Sequence, residues 1–129
     1  MKMFRGQASL EAFILMAGTL AFFLALFSVI LPVQEKVKNE ALERLHRAAF
    51  ERISFELRIA RRLGEGTRLS EKVYVPSPAN VSLNDRFSYS FGNTTWEEPV
   101  IGRKNVAGTL HGTTTVRVEN AKGLAIAWD

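Results

Sequence analysis

The chain contains no cysteine, which excludes disulfide bridges, thiolate metal sites and cysteine nucleophiles. Its only histidines are His46, on a charged helical stretch, and His111, and their separation does not match the spacing of paired metal ligands. No glycine-rich phosphate-binding loop is present either. We therefore predict no enzymatic activity, no metal site and no cofactor.

The sequence also lacks a block of charge of one sign. The formal net charge is +4, but the basic residues after position 32 alternate with acids such as Glu40, Glu43 and Glu51. This interleaving cancels much of the positive field that would attract a polyanion. The pattern favours a solvated helix face over a nucleic-acid partner.

One long stretch, Ala12 to Leu31, carries no formal charge. A helix of its 20 residues spans roughly the 30 Å hydrocarbon core of a bilayer. Because Lys2 and Arg5 precede it, the N-terminus is predicted to be cytoplasmic and the chain after Leu31 external. A conventional cleaved signal has a shorter apolar region followed by a small-x-small site, which this sequence does not show.

Four residues, Gly6, Gln7, Ser9 and Glu11, stand directly before the apolar run. This pattern resembles the class III signal peptide of archaeal type IV pilin-like proteins, and the resemblance covers about the first 31 residues. It implies that a prepilin peptidase cleaves between Gly6 and Gln7 on the cytoplasmic side. The apolar helix would then remain on the mature subunit.

Glu11 is costly at the edge of the hydrocarbon unless its carboxylate is paired, hydrogen-bonded or hydrated. Cleavage after Gly6 would create a nearby cation, the α-amino group of Gln7. The resemblance implies that Glu11 pairs with this N-terminus on an adjacent subunit and so sets the axial register of a filament. The alternative is that Glu11 lies at the headgroup level as the last polar residue before a membrane anchor.

Small side chains recur along one face of the apolar helix. They are Ala17, Ala21, Ala25 and Ser28, which follow one another at intervals of four, four and three residues. Gly18 lies beside them. Such a stripe allows close approach of helices in lipid or in a hydrophobic filament core.

Pro32 follows the apolar run and predicts a kink, because its ring clashes with the carbonyl group of Ser28. An amphipathic helix is predicted over 32–64, ending near Leu63 and Gly64. Its predicted apolar stripe consists of Val33, Val37, Ala41, Leu45, Ala49, Ile53, Leu57 and Ala60, widened by Leu42, Phe50 and Ile59.

After Gly66 the hydrophobic period changes from helical to alternating, which indicates strands. The predicted strands are Lys72–Val75, Val81–Leu83, Arg86–Phe91, Thr113–Glu119 and Leu124–Trp128, the last two forming a hairpin. Loops are predicted at Pro76 and Pro78, at Gly92-Asn93 and over Pro99–Gly112. The predicted fold class is α+β, with the long N-terminal helix packed on a small antiparallel sheet.

Asn80 and Asn93 each begin an N-glycosylation acceptor pattern. The predicted topology places both outside the cell, so both are candidate glycan sites. Asn93 ranks first because it lies in a predicted turn, whereas Asn80 abuts a strand.

These features predict a leader at 1–6, a transmembrane or filament-core helix at 7–31, an amphipathic helix at 32–64 and an extracellular β-rich domain at 65–129. The resemblance implies a major or minor pilin-like subunit of a cell-surface filament. Its expected partners are itself, other pilin-like subunits, the prepilin peptidase and, before assembly, the membrane. The alternative is a single-span surface protein that does not polymerise and uses its ectodomain for adhesion or DNA capture.

Overall fold

The computed structural model describes residues 2–129, with side chains described from Gly6 onward. One helix and five strands follow in order: α1 (Lys2–Leu63), β1 (Thr67–Leu83), β2 (Phe87–Phe91), β3 (Thr94–Glu98), β4 (Val106–Asn120) and β5 (Leu124–Trp128). The chain divides into two compact units, Met1–Glu40 and Ala41–Asp129. In the predicted leader at 1–6, Met1 and the side chains of residues 2–5 lie outside the described part.

The first unit is helical, and every side chain described in it is exposed. It is long and apolar enough to cross a membrane, and it is therefore compatible with membrane anchoring. Helix α1 continues through Pro32 without interruption. The kink there stays a prediction.

In the second unit, α1 packs on the sheet and ends at Leu63, as the sequence predicts. Gly64 adopts a φ of 86°, and its amide donates a hydrogen bond to the Ala60 carbonyl oxygen at 3.3 Å. A left-handed glycine of this kind ends a helix without a steric penalty. Arg61 and Arg62 in the last turn place positive charge near the negative end of the helix dipole.

The five strands form one antiparallel sheet in the order β3-β2-β1-β4-β5. The helix and this sheet confirm the predicted α+β class. The predicted terminal hairpin is also present, with Asn120 opposite Leu124 and with Lys122 and Gly123 at positive φ in the turn. Gly92-Asn93 forms the predicted turn between β2 and β3, closed by the Phe91–Thr94 pair.

The prediction of a loop at Pro76 and Pro78 is wrong, because both prolines lie inside strand β1. The register shifts there, since Val75 pairs with Gly112 whereas Ala79 pairs with Leu110. Three residues of β1 therefore oppose one residue of β4. Proline cannot donate to a ladder, so a bulge is where a long strand can tolerate it.

The predicted loop over Pro99–Gly112 is also partly wrong, because β4 already begins at Val106. Strand β3 was not predicted at all. Gly108 weakens the strand signal of this segment, but the fold requires it. A Cβ atom at Gly108 would collide with the ring of Trp128, which lies against the backbone there.

The core lies between α1 and one face of the sheet. On the helix it contains Ala49, Ile53, Leu57 and Ala60. From the strands it receives Val73, Val75, Ala79, Val81, Leu83, Phe87, Tyr89, Leu110, Val116, Val118, Leu124 and Ile126, together with Val100 from the loop before β4.

The apolar stripe predicted for the helix is only partly buried. Its members from Ala49 onward contact the sheet, whereas Val33, Val37, Ala41 and Leu45 are exposed. The predicted stripe therefore extends too far toward the N-terminus. In the second unit, Ala41–Asp129, which we call the folded unit, His46 is buried in place of its neighbour Leu45.

Leu57 and Phe55 test which face of the helix stabilises the fold. Leu57 is fully buried, so Leu57→Ala should lower the free energy of unfolding by about 2 to 5 kcal/mol through lost burial and a residual cavity. Phe55 is exposed, and Phe55→Ala should change the free energy of unfolding by less than about 0.5 kcal/mol. Urea titration of the full chain in detergent micelles measures both, and equal costs would contradict the assigned face.

Candidate functional site

The first candidate site is the exposed apolar surface of the first unit. Its described large apolar side chains all lie exposed: Leu10, Phe13, Ile14, Leu15, Met16, Leu20, Phe22, Phe23, Leu24, Leu26, Phe27, Val29, Ile30, Leu31, Val33 and Val37. An apolar surface of this extent marks a contact with protein or membrane.

The two hydroxyl groups within this surface are already satisfied by their own helix. Thr19 Oγ1 donates to the carbonyl oxygens of Leu15 and Met16, at 3.0 and 2.9 Å. Ser28 Oγ donates to the Ala25 carbonyl oxygen at 2.7 Å. Entry into an apolar environment therefore leaves no unpaired hydroxyl group on these residues.

The predicted processing and pairing residues lie in the first turns of α1. Gly6, Gln7, Ser9 and Glu11 are all helical and exposed, and the predicted cleavage site between Gly6 and Gln7 is part of the helix. Gln7 and Glu11 are one turn apart and so share a helix face. Their roles in cleavage and in pairing between subunits stay predictions.

The predicted small-residue stripe is exposed along its whole length, from Ala17 through Ala21 and Ala25 to Ser28. A Cβ atom added at Gly18 would meet no atom within 4 Å. Packing within this chain therefore gives no reason for a glycine at this position. The close approach of another helix would explain the glycine, since small residues allow helix backbones to come near each other.

A second exposed apolar stripe lies on the folded unit. It consists of Ala41, Leu45, Ala48, Phe55 and the half-buried Ile59, and it faces away from the sheet. The sequence pattern assigned Ala41, Leu45 and Ile59 to the single predicted stripe and did not indicate Ala48 or Phe55. Leu45 is 45% exposed and Phe55 53% exposed. Phe55 follows the core residue Ile53 by two positions, which places it about 200° around the helix and could have indicated a second face.

The second candidate site is the buried His46. The ring is 0% exposed and is held between α1 and the sheet. Its Nδ1 is hydrogen-bonded to the Tyr89 hydroxyl and its Nε2 to the Ser77 hydroxyl, both at 2.7 Å. The imidazole stacks on Phe91 with ring centroids 3.9 Å apart and an interplanar angle of 11°. Burial lowers the pKa of His46.

Three elements bring these partners together. The bulge of β1 presents Ser77, and β2 presents Tyr89 and Phe91 from alternate positions on its core face. The sequence places His46 on a charged helix, 31 residues from Ser77 and 43 from Tyr89. The unpredicted bulge at Pro76 and Pro78 is the reason that this contact could not be foreseen.

The order Ser77, His46 and Tyr89 superficially matches a nucleophile, a base and a group that orients the base. A neutral phenol, however, cannot stabilise an imidazolium as a carboxylate does. Pro78 also removes the backbone N–H that would directly follow the nucleophile. We interpret the group as a structural contact that satisfies a buried histidine.

An aromatic cluster surrounds this contact. Phe50 packs on Phe87 with centroids 5.8 Å apart, and Trp96 packs on Phe91 at 5.3 Å and on Tyr89 at 6.0 Å. These large rings bury much apolar area and fix the position of β2 and β3 under the helix. Burial raises the pKa of the Tyr89 hydroxyl well above its ordinary value, so this group stays protonated.

The two candidate glycan sites differ in their surroundings. Asn80 is exposed in the middle of the sheet, paired with Ser90 on β2 and Thr109 on β4, and its Oδ1 accepts a hydrogen bond from Thr109 at 3.1 Å. Asn93 is exposed in the turn between β2 and β3. Glycosylation at either site stays a prediction.

Comparison with known proteins adds no assignment. No protein-family model, no curated protein and no solved structure matches this chain.

Proposed function

We propose that this protein is a structural subunit of a type IV pilus-like filament of the archaeal kind, either a major or a minor component. In this proposal the precursor is anchored in the membrane by α1 and is cleaved between Gly6 and Gln7. The mature subunit then leaves the membrane and packs its helix among those of its neighbours. The motif before Ala12 and the exposed apolar helix support this proposal.

The observation that carries it is the exposed stripe on the folded unit. A bilayer would cover Ala12 to Leu31, since about 20 helical residues fill its hydrocarbon core. Phe55 follows Leu31 by 24 residues and lies on a unit that also carries the polar face of a sheet, so lipid does not account for its exposure. Packing among neighbouring subunits would cover Phe55, Leu45 and the apolar run alike.

The two surfaces would contribute different terms to assembly. The run from Ala12 to Leu31 exchanges lipid for protein, and this exchange has little hydrophobic driving force because lipid chains are as apolar as leucine. Leu45 and Phe55 exchange water for protein, and full burial of such a side chain is worth about 1.5 to 3 kcal/mol. In this account the stripe on the folded unit favours assembly, while the small residues permit close packing.

Glu11 would set the axial register between neighbouring subunits. A carboxylate placed in a filament core needs a cation, and the α-amino group of Gln7 on an adjacent subunit has the opposite charge. Pairing is possible only at one axial offset between subunits. The polar contact would therefore select that offset from the many that an apolar surface alone allows.

The alternative is a single-span anchor with a binding ectodomain, which would use the apolar run in the membrane and the second stripe to bind a partner other than its own chain. Phe55→Glu separates the two functions. In a filament subunit the buried charge should reduce assembled protein at least tenfold, with membrane insertion and folding unchanged. The measurement is quantitative mass spectrometry of the sheared and membrane fractions.

The matched control for Phe55→Glu is Ile101→Glu, which makes the same kind of change at a residue that is 74% exposed in the loop before β4. This variant should assemble normally. Equal amounts of sheared Phe55→Glu and Ile101→Glu protein would contradict a role for the stripe in assembly.

Glu11→Val tests the pairing. The substitution removes the charge and keeps the helix apolar, so the protein should remain in the membrane fraction and form either no filaments or filaments of irregular register. Electron microscopy of sheared material measures this. Glu35→Val, an exposed acid on the same helix beyond the apolar run, serves as the control. Regular filaments from Glu11→Val would refute the pairing.

A further inference from the structure

The helix and the sheet of the folded unit are joined at one end by a titratable group. We propose that His46 is an acid-sensitive latch, which holds the start of the packed helix to β1 and β2 at neutral pH and releases it in acid. The latch belongs to the folded unit alone and does not depend on filament assembly. It gives the subunit a conformational response to acidification.

The position of His46 makes it a latch. It is the first fully buried residue of the helix within the folded unit, one turn before Ala49 and two turns before Ile53. At the other end of the helix, the Asn120 side chain donates a hydrogen bond to the Ala60 carbonyl oxygen at 2.9 Å. That contact contains no group that titrates near neutral pH.

The surroundings of His46 suit the neutral imidazole. A neutral ring has one donor and one acceptor nitrogen, and the hydroxyl groups of Tyr89 and Ser77 can complement either tautomer. Protonation makes both nitrogens donors and adds a charge. Both hydroxyl groups would then have to accept, and the charge would remain buried.

No described contact supplies a counter-ion for that charge. Strand β1 presents Ser77 to the ring, and β2 presents Tyr89 and Phe91. Tyr89 is the only titratable group among these contacts, and its raised pKa keeps it neutral. On the helix itself, the charged residues within three positions of His46 are Glu43, Arg44 and Arg47, and all three side chains are exposed to solvent.

The acids of the neighbouring strands are engaged with other cations. These acids form three ion pairs: Glu71 with Arg52 at 3.1 Å, Glu97 with Arg86 at 2.6 Å and Glu98 with Arg58 at 3.6 Å. An imidazolium at His46 would therefore be buried without an opposite charge, an arrangement that strongly favours opening.

The sign of the pH dependence follows from burial. Because burial lowers the pKa of His46 in the folded unit, the closed state binds fewer protons than the open state, whose histidine has a pKa of about 6.5. The latch is closed above about pH 6.5. As the pH falls from there toward the lowered pKa, the opening equilibrium should increase about tenfold per pH unit.

The two tryptophans allow local opening to be separated from global unfolding. Trp96 contacts Phe91, on which His46 stacks, whereas Trp128 packs against Gly108 on β4. In the full chain in detergent micelles, Trp128→Phe leaves Trp96 as the only reporter, and Trp96→Phe leaves Trp128. Fluorescence of both variants is measured from pH 7.5 to pH 4.5.

We expect the Trp96 signal to change with a midpoint below pH 6.5, and the Trp128 signal to stay constant over that transition. Adding His46→Gln, which keeps polar groups and cannot be protonated, should abolish the change. Adding His111→Gln, at the exposed second histidine, should leave it intact. A constant Trp96 signal, or a transition that survives His46→Gln, would overturn the latch.

A second measurement covers the case in which His46→Gln does not fold. The imidazole resonances of the unsubstituted chain report both histidines by NMR, and His111→Gln assigns them. The His46 resonance should titrate with a midpoint below about 6.5, the ordinary pKa of histidine. A midpoint for His46 at or above that value would show that the closed state accepts the proton, and the latch would be refuted.

Discussion

The run from Ala12 to Leu31 must be covered by something other than its own chain, and the rest of the structure depends on this constraint. Every residue in it is exposed, and its hydroxyl groups are satisfied internally. A surface of this kind is stable only in lipid or against protein. A precursor can use the first environment and an assembled subunit the second, which makes one helix suitable for both stages of the proposed pathway.

The folded unit uses its part of the same helix in two ways. One face, centred on Ile53 and Leu57, forms the core with the sheet and adds buried apolar area to a small domain. The opposite face exposes Leu45 and Phe55 to water. Because the two faces are distinct, separate substitutions can test the proposed assembly and the stability of the fold. His46 lies where the buried face begins and makes that junction sensitive to protons.

Periodicity was sufficient to predict the elements whose residues repeat regularly. The uncharged run, the helix end at Gly64 and the terminal hairpin are present as the sequence indicates. Prolines and glycines misled the prediction of β1 and β4, because Pro76 and Pro78 occupy a bulge and Gly108 makes room for Trp128. The His46 contact was not predictable, since it depends on that bulge and joins residues from distant segments. The role proposed for the motif around Glu11 depends on contacts between chains, so the fold of one chain leaves that role a prediction.

The most direct test of the filament account is the intact mass and N-terminal sequence of the native protein, determined separately for the membrane fraction and for material sheared from cells. A filament subunit should begin at Gln7 in the sheared fraction, and this single observation would support both the proposed processing and the proposed assembly. Protein that begins at Met1 and occurs only in the membrane fraction would contradict the filament account, and would favour an anchor that does not polymerise.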